Sequence, residues 1–189
     1  YETFKDNTNK KLEKLINFTS TLYNPESESF DPDSLSITIV EDITKYLQNE
    51  GFSHFKIEDF PLIDHVPLSD DNPFEVFVIG YHCGGTAGWI PRSIIVKHTK
   101  NKPLIYPMDI ECFFYEFHQL KDELFLCIGG VPGSGICRGY SIYAIDFNKN
   151  QAEFKPVFGK NDSFQICNSD ITFDAEQKML VIDVEYLPY

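Results

Sequence analysis

Apolar residues recur at helical spacing near the start of the chain. Leu12, Leu15, Ile16, Thr19, Leu22 and Tyr23 share one helical face, with Lys and Asn between them. Asn24-Pro25 closes that pattern, because a residue that precedes proline is turned away from helical backbone angles. Residues 24–34 then read as a polar linker rich in Ser, Asp, Glu and Pro. A second stripe, Leu35, Ile39, Ile43 and Leu47, predicts a second helix, with Gly51 where a C-terminal cap belongs. The β-branched run Ile37-Thr38-Ile39-Val40 argues for a strand instead, and the helix is the preferred reading.

After Gly51 the period changes. Phe55 and Ile57 alternate with polar residues as in a strand, and a loop from Pro61 to Pro73 carries three prolines and several Asp. Strands are expected near 74–80 and 92–98, then in a clearer series at 111–120, 124–129, 139–147, 152–158, 171–174 and 179–186. Lys121-Asp122-Glu123, Asn148-Lys149-Asn150 and Asp174 to Lys178 have the chemistry of hairpin turns. A turn at 121–123 would put His118, Leu120, Leu124, Leu126 and Ile128 on one face of a sheet, and Phe113, Tyr115, Phe117, Phe125 and Cys127 on the other. Both faces are apolar, so this sheet should be covered on both sides, by the N-terminal helices and by a second sheet layer.

The fold expected is therefore α+β. Two N-terminal helices are followed by a long antiparallel β-meander, and 1–189 forms a single domain with a helical part at 1–51 and the meander at 52–189. The strand spacing leaves a propeller-like arrangement open as the alternative. Seventeen Phe and ten Tyr supply enough bulk for a core.

Charge narrows the partners. The formal charge is −13, with 29 acidic against 16 basic residues, whereas a nucleic-acid binder needs a basic face that releases phosphate counterions. Nucleic acid and anionic membranes are thus disfavoured. The nearest basic group, Lys97, Lys100 and Lys102 with His98, reads as a solvated turn. No apolar stretch is long enough to span a bilayer. Acidity also suits an inhibitor or immunity-type protein that masks a basic partner.

No coherent catalytic set emerges. Gly130 to Gly135 has glycines like those of a phosphate-binding loop. The Lys and Ser or Thr that would hold phosphate and magnesium are replaced by Ile136 and Cys137, and a strand follows rather than a helix. Cys83 beside His82 suggests a thiol hydrolase, yet adjacent strand residues point to opposite faces. The base would have to be His54, His65, His98 or His118, and a glycine-rich turn with one buried Cys is the simpler account. Asp64, His65, Asp70 and Asp71 could offer calcium ligands, but without EF-hand spacing they read as a solvated acidic loop. The five cysteines lack CxxC spacing, so no zinc cluster is expected, and no cofactor is implied.

Four stretches carry a resemblance. They are Phe77-Val78-Ile79-Gly80 into Cys83-Gly84-Gly85-Thr86, Tyr115 to Asp122, Leu126-Cys127-Ile128-Gly129 through Gly133-Ser134-Gly135 to Tyr143-Ala144-Ile145-Asp146, and Ile171-Thr172-Phe173-Asp174 with Leu180-Val181-Ile182. Across roughly residues 74 to 186 the chain resembles an uncharacterised family of exported, often lipid-anchored proteins of Gram-negative gut bacteria. The resemblance implies a strand meander after a helical N-terminal region. It also implies export to the periplasm or outer-membrane surface, with a lipid anchor on a removed N-terminal segment; cytoplasmic residence is the alternative. It carries no reaction.

The expected function is accordingly a non-enzymatic binding or accessory domain whose ligand is an unknown protein or small molecule. Export would favour a Cys127–Cys137 disulfide across the glycine-rich loop, with two neighbouring buried thiols as the alternative. The loops 80–90 and 129–139 expose backbone polar groups through their glycines, and Tyr81, Trp89 and Arg138 flank them. Aromatic and Arg side chains dominate binding hot spots, so these three residues are the expected recognition surface. The competing reading makes Trp89 a core residue and the glycines mere tight turns.

Overall fold

Two helices form where the apolar stripes predict them. α1 spans Glu2–Thr21 and α2 spans Pro32–Glu50 in the computed structural model. It describes residues 1–21, 30–66, 68, 72–82, 89–100, 102–108, 111–131, 137–147, 153–157, 164–167 and 169–184. α2 begins before Leu35, because Asp31 and Pro32 make a strong start. The Asp31 carboxylate accepts from the backbone N–H groups of Asp33 and Ser34, and Pro32 sits where a missing N–H costs nothing. Its end is the expected one: Gly51 adopts φ 70° and donates its N–H to the Leu47 carbonyl. The β-branched run lies inside the helix, so the spacing of Ile39, Ile43 and Leu47, all buried, outweighs β propensity. In α1, Leu12 and Leu15 are fully buried, whereas Ile16 is 37% exposed and lies at the margin of the stripe.

The chain divides into two compact units, 1–113 and 114–189. In the first, a 3-10 turn (Ile57–Asp59) leads to a four-stranded antiparallel sheet, β1 (Ile63–Val66), β2 (Phe74–His82), β3 (Trp89–Lys97) and β4 (Leu104–Pro107), in that spatial order. The alternation at Phe55 and Ile57 is thus not a strand: two apolar positions are too few to set a register. Conversely, the Pro61–Pro73 loop contains β1, which pairs Ile63 with Ile79 and Val66 with Val76. In the β2–β3 register Phe77 lies opposite Ile94 and Tyr81 opposite Ile90. Phe77, Ile79, Tyr81, Ile94, Val96 and Ile105 form one core with Leu12, Leu15, Ile39, Ile43 and Leu47. The helices therefore cover the β1–β4 sheet, and the change from helix to strand at residue 51 falls inside one unit. Tyr1 ties the start of α1 to the 3-10 turn, its hydroxyl donating to Asp59 at 2.6 Å; burial, reinforced by that carboxylate, pushes the phenol up to about 12.

The second unit holds β5 (Phe113–Lys121, from its second residue on), β6 (Leu124–Val131), β7 (Cys137–Asp146) and β8 (Glu153–Pro156) in sequential order, with β9 (Phe164–Cys167) also on β7. β8 pairs with residues 143–146 and β9 with 137–140, so the two short strands lie end to end along one edge of β7. β10 (Ser169–Asp174) and β11 (Met179–Val184) form a separate hairpin. Asp174 shapes its turn by accepting from the N–H groups of Glu176 and Gln177. The Asn148-Lys149-Asn150 turn lies outside the described residues. Ile171 of the hairpin packs with Leu126, Ile128, Tyr140 and Ile142, and Leu120, Phe173 and Leu180 complete that cluster. The His118 ring lies tilted against Phe173, with 4.7 Å between centroids. The expected face thus holds for His118, Leu120, Leu126 and Ile128, and a second layer covers it. Tyr115 joins this side instead of the opposite one. Phe114 and Phe117 are both buried and their rings meet at 6.2 Å, so alternation is interrupted between them. Among the described residues the strands form open antiparallel sheets.

Candidate functional site

The structure separates the residues expected to form a recognition surface. Tyr81 is 2% exposed and belongs to the core beneath the helices, so it is withdrawn from that surface. Its apolar ring lies on the same sheet face as Phe77 and Ile79, as strand parity requires. Trp89 pairs through its backbone with His82 in the first unit, and Arg138 pairs with Ile166 in the second. Their side chains, and the loops 83–88 and 132–136 with Cys83, lie outside the described residues. Of the histidines weighed as partners for Cys83, His54, His65 and His98 are exposed, and His118 faces Glu116 at 2.8 Å.

The Cys127–Cys137 disulfide is excluded by register. Cys127, a buried thiol, lies opposite Tyr143 on β7, six positions from Cys137. At strand rise that is about 20 Å along β7, well beyond the Cα separation a disulfide bridges. Among the described residues no three His, Cys, Asp or Glu side chains are grouped to hold a metal. Asp64 and His65 lie exposed on β1, and Asp70 and Asp71 are outside the described residues.

Two charged groupings emerge that the sequence reading passed over. The first centres on Arg92 of β3, which is 4% exposed. Its guanidinium pairs with Asp33 and donates from Nε to Ser36 Oγ at 2.9 Å; the Tyr81 hydroxyl also reaches Asp33, at 3.4 Å. These contacts fasten the first turn of α2 to the sheet, and they occupy the arginine with protein groups. The signal was present: an Arg within Trp89-Ile90-Pro91-Arg92-Ser93-Ile94-Ile95 must be buried with a carboxylate partner or reach solvent.

The second grouping is a groove of about 610 Å³ across α1 and α2. Phe4 stacks on Tyr46 with 4.1 Å between centroids, and Lys11 pairs with Asp42, so the two helices run antiparallel along it. Lys10, Lys11, Lys14 and Lys45 line the groove, a quarter of the 16 basic residues in the chain. Among the described lining residues Asp42 is the sole carboxylate, and Lys11 engages it. Lys45 reaches Glu41 at 3.8 Å, an exposed contact of little strength. Among the described residues Lys10 and Lys14 have no ion-pair partner, and one helical turn apart they repel each other. Burial, helped by the nearby Glu50 charge, raises the Tyr46 phenol. The spacing of Asn7, Lys10, Lys11 and Lys14 in the sequence carries this stripe. Chemically, the groove offers cations, amide groups and an aromatic wall, and its described lining holds no paired nucleophile and base.

No protein family, curated protein or solved structure matches the chain.

Proposed function

We propose that this protein is an exported, non-enzymatic binding domain that recognises an anionic organic ligand in the lysine-lined groove between α1 and α2. The reading is supported chiefly by the concentration of four lysines on one groove of a chain whose net charge is −13. Long-range attraction of anions by the whole molecule is therefore unfavourable, and affinity has to come from local contacts. The groove's volume falls in the range of small-molecule sites. Phe4 and Tyr46 provide a flat apolar surface, Asn7 and Asn49 provide hydrogen bonds, and an anion between Lys10 and Lys14 relieves their repulsion. Placement in the bacterial envelope rests on the likeness of residues 74 to 186 to exported proteins.

The test is an NMR titration of the full chain with benzene-1,3,5-tricarboxylate, an aromatic trianion. Amide shifts should concentrate at residues 4–14 and 42–49. The double variant K10E/K14E should bind at least about tenfold more weakly, and 0.5 M NaCl should have a similar effect. Shifts elsewhere, or binding indifferent to charge reversal, would refute the reading.

A further inference from the structure

The register of β9 on β7 sets two cysteines at directly opposed positions of the ladder. Cys137 opens β7, Cys167 closes β9, and the antiparallel ladder pairs them directly, followed by Arg138 with Ile166, Gly139 with Gln165 and Tyr140 with Phe164. Directly opposed residues of an antiparallel pair lie on the same side of the sheet. Their Cα atoms are about 5.5 Å apart in a hydrogen-bonded pair and about 4.5 Å in a non-hydrogen-bonded one. Both separations fall within the range that a disulfide spans. The residues are thirty positions apart in the sequence, so spacing alone gives no hint of this pairing.

We infer that Cys137 and Cys167 are a redox-active pair that closes into a cross-strand disulfide. A dithiol–disulfide exchange with a small-molecule or protein disulfide forms it. The Cys137 thiolate attacks the oxidant's S–S bond and releases one thiol. The Cys167 thiolate then attacks the mixed disulfide and releases the second. The two cysteines together lose two protons and two electrons, and the oxidant becomes two thiols. The bond clamps β9, a strand of four residues, to the edge of β7. It closes a long chain segment, which restricts the unfolded state. The inference is independent of the groove's role and of the compartment in which the protein works.

The full-length protein is incubated at pH 8 with oxidised glutathione, quenched with iodoacetamide, digested without reduction and mapped by mass spectrometry. The expected product is one peptide pair joining Cys137 to Cys167, two hydrogens lighter than the separate peptides, with Cys83, Cys112 and Cys127 alkylated. Recovery of Cys137 and Cys167 both alkylated, both glutathionylated, or linked to other cysteines would overturn the inference. Reduction should lower the melting temperature of the oxidised protein by about 10 °C. That shift should vanish in C137S and in C167S and persist in C83S. A wild-type melting temperature indifferent to reductant would equally overturn the inference, whatever the variants do.

Discussion

Arg92 and Asp33 form an ion pair whose two members stand in different surroundings: the Arg side chain is 5% exposed and that of Asp33 is 47% exposed. Removing either partner breaks the same contact but leaves a different group behind. Asp33→Ala takes the carboxylate partner from a buried guanidinium that still donates to Ser36, and should cost about 3 kcal/mol. Arg92→Met leaves a half-exposed carboxylate that water can solvate, and Met fills the space of the stem, so about 1 kcal/mol is expected. Urea denaturation of both variants checks the order; equal losses would show that the pair, rather than the buried charge, sets the cost. At this scale the sequence was legible where a side chain's chemistry conflicts with its neighbours, as for Arg92 among apolar residues. It was not legible for Tyr81, whose ring suits a core and a binding surface equally well; only the packing of α2 decides between them.

Among the elements, the two helices were the easiest to read, because three or four turns of consistent spacing outweigh local propensity. Leu15 shows what that stripe contributes: it is fully buried, and Leu15→Ala should destabilise the protein by about 2–5 kcal/mol in denaturant unfolding. A loss near zero would mean that α1 docks without contributing to the fold. The strands that escaped notice, β1, β4 and β9, have four residues each. Four residues hold too little alternation to separate a strand from a loop, and their identity comes from the neighbour they pair with. Hairpins with local turns, such as β10–β11 around Asp174, were legible because the turn fixes the pairing. The long-range pairing of β9 with β7 has no local signal of that kind, which is also why the Cys127–Cys137 expectation failed. The lysine groove needs two helices side by side, so only its α1 half could be seen as a stripe.

For the whole molecule, the meander expected from the strand series is present, yet its strands gather into more than one sheet, and contacts define units at 1–113 and 114–189. Composition announced a core of aromatic residues and a strongly acidic surface, and it could not reveal that one groove gathers lysines against the net charge. The edge of β7 has a consequence for motion. Because β8 and β9 share that edge end to end, each can detach without opening the other, and β7 stays anchored on its far side by the eight register pairs with β6. Amide hydrogen exchange should therefore resolve two separate openings along one strand. Protection at 137–140 should follow the fraying of β9, and protection at 143–146 that of β8. A single common exchange rate for the two segments would mean that the edge opens as one piece. With two rates, β7 acts as a fixed rail carrying two short shutters that open and close on separate clocks.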